Sequence, residues 1–175
     1  MINNLEKERK NINFDINSLT DLFNGGSSKT KLKKEIYEKV YQIEAFKLDD
    51  VYFLSRENKM KRVHEKCFYL QKFLHENSIK PLSEEFWIVM NAINDDLPLL
   101  IHYFLFIPTI LGQSDEEQLK IWAPKANNCE IIGCYAQTEI GHGSNVRGIE
   151  TTATFKPETD EFELHSPTLT STKCW

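Results

Sequence analysis

The chain is poor in the features that mark secretion, metal binding or membrane insertion. Its 175 residues hold four cysteines, Cys67, Cys129, Cys134 and Cys174, and no two stand at Cys-x-x-Cys spacing. No histidine lies at zinc-finger distance from them, so no metal site is expected. The first ten residues, MINNLEKERK, lack the apolar core of a secretory signal. Reduced thiols in an intracellular compartment are therefore the expectation. Long apolar runs are also missing. The most apolar stretch, LPLLIHYFLFIPTIL at 97–111, is too short to span a bilayer and carries Pro98, His102 and Pro108. It predicts a buried helix, with no membrane span. The formal net charge of −5 gives no general attraction to nucleic acid. What is present, 41% hydrophobic and 27% charged residues, suits a folded globular chain rather than a disordered one.

Composition changes near residue 129. Residues 1–128 hold 18 of the 21 Lys and Arg and 19 of the 26 Asp and Glu, whereas residues 129–175 are rich in Thr and Ser. Mixed Lys and Glu with Leu and Ile suits helices, and β-branched hydroxyl residues suit strands. The expected fold class is thus α+β, with a helical domain over 1–128 followed by the start of a β region over 129–175. Asn17 or Ser18 is expected to cap a short helix that stops at Asn24-Gly25-Gly26. Further helices are expected over about 29–45 and 55–76, the second with a stripe at Met60, Val63, Cys67, Leu70 and Leu74. Ser83 is placed to cap another, and Ser114-Asp-Glu-Glu117 reads as a capping box for a short helix through Trp122. In the second part, Ile131–Ala136 reads as a buried strand. Thr151–Phe155 and Glu161–His165 read as a hairpin around Lys156-Pro-Glu-Thr-Asp160, and Thr168–Trp175 as one more strand.

Three of the seven glycines fall at 141, 143 and 148, within Gly141-His142-Gly143-Ser144 and the residues after it. Such a loop either needs positive φ or lets backbone N–H groups and a hydroxyl approach a ligand. It is not a Rossmann fingerprint, because no helix pattern follows, and not a P-loop, because the Lys-Ser/Thr ending is absent. Thr138 and Glu139 stand where a strand gives way to this loop. Glu139 is expected to be solvated or paired with a nearby Arg such as Arg147, rather than to act as a base. His142 is expected to be a hydrogen-bonding spacer, and His102 a satisfied core histidine. No Ser-His-Asp or Cys-His arrangement can be argued from this order.

The run Tyr135-Ala-Gln-Thr-Glu-Ile-Gly-His-Gly-Ser144, with Asn145-Val-Arg-Gly148 and Ile149-Glu-Thr-Thr-Ala-Thr154, closely resembles the signature of the acyl-CoA oxidases. The likeness extends through Ser166-Pro-Thr-Leu-Thr-Ser171 and back to Phe106-Ile-Pro-Thr109 and Glu6-Lys-Glu-Arg9. The resemblance implies a helical N-terminal domain and the first strands of an incomplete β domain that binds FAD and acyl-CoA. It implies FAD-dependent conversion of fatty acyl-CoA and O2 to trans-2-enoyl-CoA and H2O2 in peroxisomal β-oxidation, by homodimers. It implies that Thr138 contacts FAD, with Tyr135 and Gln137 beside it on the strand. Gly143 and Ser144 are implied at the flavin pyrophosphate, and Ser144 at the acyl-CoA as well.

The family's second flavin segment, Trp-Pro-Gly-Gly-like, would begin about where Trp175 ends, and Cys174 stands where a Trp is usual. The catalytic glutamate belongs to a C-terminal helical domain, so no catalytic residue is expected in this chain. Its activity alone is expected to be absent. A non-catalytic product that binds or modulates a full-length oxidase is the alternative. An acyl-CoA dehydrogenase is a further one, disfavoured because Glu139 is followed by Ile140 where dehydrogenases usually show Pro.

Overall fold

A computed structural model of the chain describes residues 4–47 and 51–173, so Cys174 and Trp175, the end of the strand expected over Thr168–Trp175, lie outside the described residues. Two units emerge, Met1–Ile132 and Gly133–Trp175. The first is helical: α1 (Asn4–Lys10), α2 (Ile16–Asn24), α3 (Ser27–Tyr41), α4 (Arg56–Glu76), α5 (Glu84–Ile93), a π-helical turn at His102–Phe106, α6 (Ile107–Gln113) and α7 (Glu116–Asn127). The second holds a hairpin of β1 (Thr152–Lys156) and β2 (Glu161–His165). The α+β expectation holds.

Helix ends follow from local hydrogen-bond chemistry. Asp15, rather than Asn17 or Ser18, caps α2, because its carboxylate accepts both the Ser18 N–H (2.7 Å) and the Ser18 hydroxyl (2.6 Å). An anionic acceptor makes the stronger cap. Gly25 then takes φ 83°, and the N–H groups of Gly25 and Gly26 close back on Leu22 and Asp21. That left-handed turn is open to glycine at little cost. Ser55 and Ser83 cap α4 and α5 as expected. The capping box of α7 is shifted by one residue from the pattern read: Asp115 accepts the Gln118 N–H, and the Gln118 side chain accepts the Asp115 N–H. This helix also outruns Trp122 to Asn127. Pro124 lies within it, but buried Ala126 and the Asn128 N–H bonded to the Pro124 carbonyl (3.0 Å) hold the last turn.

The apolar segment 97–111 is helical only from residue 100, and not uniformly. Pro108 lacks an N–H, and its ring would meet the carbonyl four residues earlier in an unbroken α-helix. The π turn at His102–Phe106 immediately precedes that residue and widens the backbone there. It turns His102 and Tyr103 into the core, where the His102 Nε2–H donates to the Ala126 carbonyl (2.9 Å).

The core of the first unit joins Val40 of α3, Leu70 of α4, and Phe86, Val89 and Ile93 of α5 with Tyr103 and Ile107. Phe86 meets the Tyr103 ring edge-on at 5.0 Å, and Trp87 stacks on Phe104 at 4.9 Å. The Tyr103 hydroxyl donates to Gln71 (2.5 Å) and lies 3.6 Å from the Cys129 Sγ. Burial pushes the Cys67 and Cys129 thiols and the Tyr103 phenol above their ordinary ranges.

Lys66 of α4 is 0% exposed and pairs with Asp95 just beyond α5. Asp95→Ala would leave that ammonium buried and unpaired, and is expected to destabilise the first unit by about 3–5 kcal/mol. Lys66→Met, which removes the charge and keeps the stem, is expected to be close to neutral. Urea unfolding followed by far-ultraviolet dichroism checks both; equal losses would contradict the assignment.

Candidate functional site

The chain enters the second unit through residues 133–138, which belong to no helix or strand. Ile132, just ahead of them, is 69% exposed, so the buried strand expected over Ile131–Ala136 is not formed. Among the described residues no second strand lies alongside to take its ladder bonds. Pairing begins at Glu139, which exchanges both backbone hydrogen bonds with His142 (3.1 Å each). The turn Glu139-Ile-Gly-His142 is thereby closed. Tyr135, Gln137 and Thr138 stand on its entering arm, Gly143 and Ser144 on its leaving arm. The five residues singled out in the sequence therefore flank one tight turn, with Thr138 and Gly143 immediately outside the bridge.

The turn is also tied to a later segment. Ile140 N–H donates to the Thr172 carbonyl (3.0 Å) and Gly141 N–H to that of Thr170 (2.9 Å). Residues 168–171 are not the expected strand. The Thr168 N–H donates to the Ser171 Oγ (3.0 Å), and the Ser171 N–H to the Thr168 Oγ1 (3.1 Å). These hydroxyls offer the backbone a local alternative to a sheet ladder, and a turn results.

The glycines differ in what they permit. A Cβ at Gly141 would stand 2.8 Å from the Thr170 Cβ, and one at Gly148 would stand 2.6 Å from the Asn145 Nδ2. Both positions need glycine for close approach of the chain to itself. At Gly143 a Cβ would meet nothing within 4 Å. None of the three has a positive φ, so a left-handed turn does not explain them. Beside Gly143, the hydroxyl of Ser144 has no hydrogen-bond partner among the described residues, and neither does that of half-buried Thr138.

Two carboxylates organise the unit. Glu139, 2% exposed, accepts the N–H groups of Glu150 and Thr151 (2.9 Å each) and the Lys173 ammonium (3.2 Å). Lys173 also donates to the Gln137 carbonyl (2.9 Å). Burial raises the Glu139 carboxyl, but the Glu150 and Thr151 donors and Lys173 outweigh it and hold the group down at about 2. Glu150 is held below the usual carboxylate range by the Thr168 hydroxyl, then by His142 Nε2 (2.9 Å) and the Thr170 hydroxyl (2.8 Å). Arg147 is exposed and takes neither carboxylate, since Lys173 and His142 occupy them. His142 acts as the hydrogen-bonding spacer expected of it. Lys173 escaped the sequence reading because its partner stands 34 residues earlier, with no local spacing to link the two.

The hairpin extends this unit. β1 and β2 pair antiparallel with Thr152 opposite His165 and Lys156 opposite Glu161. Phe155 meets Phe162 across the strands at 5.3 Å, and every residue of both strands is exposed.

Comparison with known proteins adds the following. The family model described as acyl-coenzyme A oxidase N-terminal matches residues 15–132. The chain is 39% identical over 172 residues to peroxisomal acyl-coenzyme A oxidase 1 of Phascolarctos cinereus, covering 98% of this chain and 26% of that protein. It is 38% identical over 174 residues to the Arabidopsis thaliana enzyme of the same name, covering 99% and 26%. The crystal structure of an acyl-CoA oxidase from tomato matches with a TM-score of 0.89 at 40% identity, covering 98% of this chain and 26% of that one. Acyl-CoA oxidase-2 of Caenorhabditis elegans, bound with FAD, ascaroside-CoA and ATP, matches with a TM-score of 0.86 at 36% identity and the same coverage. The chain thus spans about a quarter of the length of these relatives.

The Glu139 geometry sets an acid limit on the second unit. A carboxyl held below its unfolded value stabilises fully above about pH 4.5, and that contribution is lost as pH falls toward about 2. Amide hydrogen exchange at Glu150 and Thr151 is expected to stay slow down to about pH 4.5 and to lose protection below it. Glu139→Ala is expected to speed both amides roughly tenfold or more at neutral pH.

Proposed function

Because the chain belongs to the acyl-CoA oxidase family, we propose that Tyr135, Gln137, Thr138, Gly143 and Ser144 form part of the FAD and acyl-CoA site of a peroxisomal enzyme. That enzyme converts fatty acyl-CoA and O2 to trans-2-enoyl-CoA and H2O2 and works as a homodimer. One observation carries the reading: the hydroxyl of half-buried Thr138, without a hydrogen-bond partner among the described residues, stands across the Glu139–His142 bridge from Gly143, where a Cβ would meet nothing within 4 Å. Gly141 and Gly148 are consumed by the fold, but Gly143 is not. An unobstructed backbone beside two unpartnered hydroxyls suits the approach of a polar ligand edge or a phosphate.

In this reading the Thr138 and Ser144 hydroxyls orient the ligand, and the backbone of Gly143 comes close to it. FAD, when bound, supplies the acceptor for the hydride that leaves the acyl β-carbon. The carboxylates of this site do not serve as the base for the α-proton. Glu139 is buried under two backbone donors and Lys173, and Glu150 under Thr168, His142 and Thr170. A base needs a pKa nearer the working pH than about 2. In this reading the residues of the site bind and orient, and neither Glu139 nor Glu150 abstracts the α-proton.

The alternative, a non-catalytic chain that docks on a full-length oxidase, is favoured by the hairpin, whose strands expose Phe155, Phe162 and Leu164. Co-purification with a full-length oxidase separates it from the first reading.

Titration of the chain with FAD, followed by flavin fluorescence, tests the assignment. Thr138→Val, which removes one hydroxyl at constant shape, is expected to weaken binding about tenfold. Unchanged affinity would remove Thr138 from the site. Acyl-CoA with FAD is expected to yield no H2O2 from the chain alone, and turnover would overturn the assignment of the base.

A further inference from the structure

Lys173 occupies a place that the reading so far does not use. Its Nζ bridges two groups on either side of Thr138: the carbonyl of Gln137 (2.9 Å) and the buried carboxylate of Glu139 (3.2 Å). The same carboxylate reaches forward to the N–H groups of Glu150 and Thr151. Residues 137–141 are therefore fastened at every step except one. Gln137 is held by its carbonyl, Glu139 by its side chain and its bridge to His142, and Ile140 and Gly141 by the carbonyls of Thr172 and Thr170. Thr138 stands between two clamped neighbours, and its hydroxyl has no hydrogen-bond partner among the described residues.

An ammonium is the suitable group for that position. A buried carboxylate that already accepts two neutral N–H donors still carries a full negative charge, and a cation 3.2 Å away compensates it. The Lys173 side chain is 28% exposed, so its charge keeps some contact with water while its tip is committed to the protein. A short neutral side chain could meet one of the two acceptors but could not neutralise the charge. His142 and Glu150 pair with one another and Arg147 is exposed and takes neither carboxylate, which leaves Lys173 as the cation of Glu139.

We propose that Lys173 is a positioning residue that holds the Gln137–Gly141 backbone in the conformation presenting Thr138 to the flavin, so that the site is ordered before cofactor arrives. The inference rests on the flavin reading of Thr138 given above. Preorganisation of this kind lowers the ordering cost of binding, so its loss shows as weaker affinity without the removal of any ligand contact.

Lys173→Met removes the ammonium and keeps most of the aliphatic stem, and Lys173→Arg restores a cation. Three measurements on the full chain decide. In the Met variant, amide exchange at 138–141, 150 and 151 is expected to speed roughly tenfold, and in the Arg variant to stay near wild type. The carbon-13 titration of the Glu139 carboxyl is expected to move upward from about 2 with Met but not with Arg. FAD affinity is expected to fall about tenfold with Met and recover with Arg. Wild-type exchange and an unmoved Glu139 titration in the Met variant would overturn the lock. If exchange and titration respond but FAD binds all forms equally, the role of Lys173 toward the flavin is overturned and the lock stands as a structural tie; if FAD binds no form, the wild type included, the flavin reading of Thr138 is overturned with it. If the Met variant fails to fold, Lys173→Gln, which keeps a donor without the charge, replaces it; an unmoved Glu139 titration there counts against the proposal.

Discussion

Of the two carboxylates that organise the second unit, Glu139 is the one that ties its separate stretches together. Residues 133–173 include a two-stranded hairpin whose faces are both exposed, so burial of apolar surface contributes little to holding them together. What joins the separate stretches is Glu139, which gathers donors from residues 150, 151 and 173 onto two oxygens. A hydrogen bond to an ionised acceptor is worth more than one between neutral groups, and here several converge where water is excluded. The tight turn and the start of β1 depend on where that group sits, and Glu150 beside it takes the hydroxyls of the bend at 168–171.

The first unit works by the opposite means. Its α-helices and π turn meet through aliphatic and aromatic side chains, and the polar interior is confined to a few satisfied groups such as Lys66 with Asp95 and His102 with the Ala126 carbonyl. This contrast explains what could be read from the sequence. Helix existence, the stripe on α4 from Cys67 through Leu74 and the stop at Gly25 follow from local periodicity and local caps, which act over three or four residues, whereas Met60, expected in that stripe, is exposed. The hairpin was legible for the same reason, through its alternation and its turn residues. Errors arose where the deciding partner was either absent or distant. Ile131–Ala136 has strand chemistry but nothing beside it to pair with among the described residues. Thr168–Ser171 has strand-forming residues whose hydroxyls close on their own backbone instead.

The candidate site divides along the same line. Thr138, Gly143 and Ser144 were legible because they are consecutive in a recognisable run, and the backbone brings them to one turn without help from far away. Lys173 was not, because nothing in its neighbourhood announces a partner at Glu139. Arg147 shows the converse: it was near enough in sequence to look like that partner, but the fold gives the place to another cation and leaves the guanidinium in solvent. Proximity along the chain is a fair guide to a helix cap and a poor guide to a salt bridge.

The buried Cys67 and half-buried Cys129 of the first unit bear on the chemistry proposed for the protein. Peroxide attacks the thiolate and hardly touches the protonated thiol. Cys67 and Cys129 are held toward the protonated form by their apolar surroundings, and the phenol beside Cys129 is equally reluctant to ionise. In the reading proposed above peroxide is a product, and a thiolate within its reach would be its first target. Burial that serves packing here also lends these two cysteines resistance to oxidative wear.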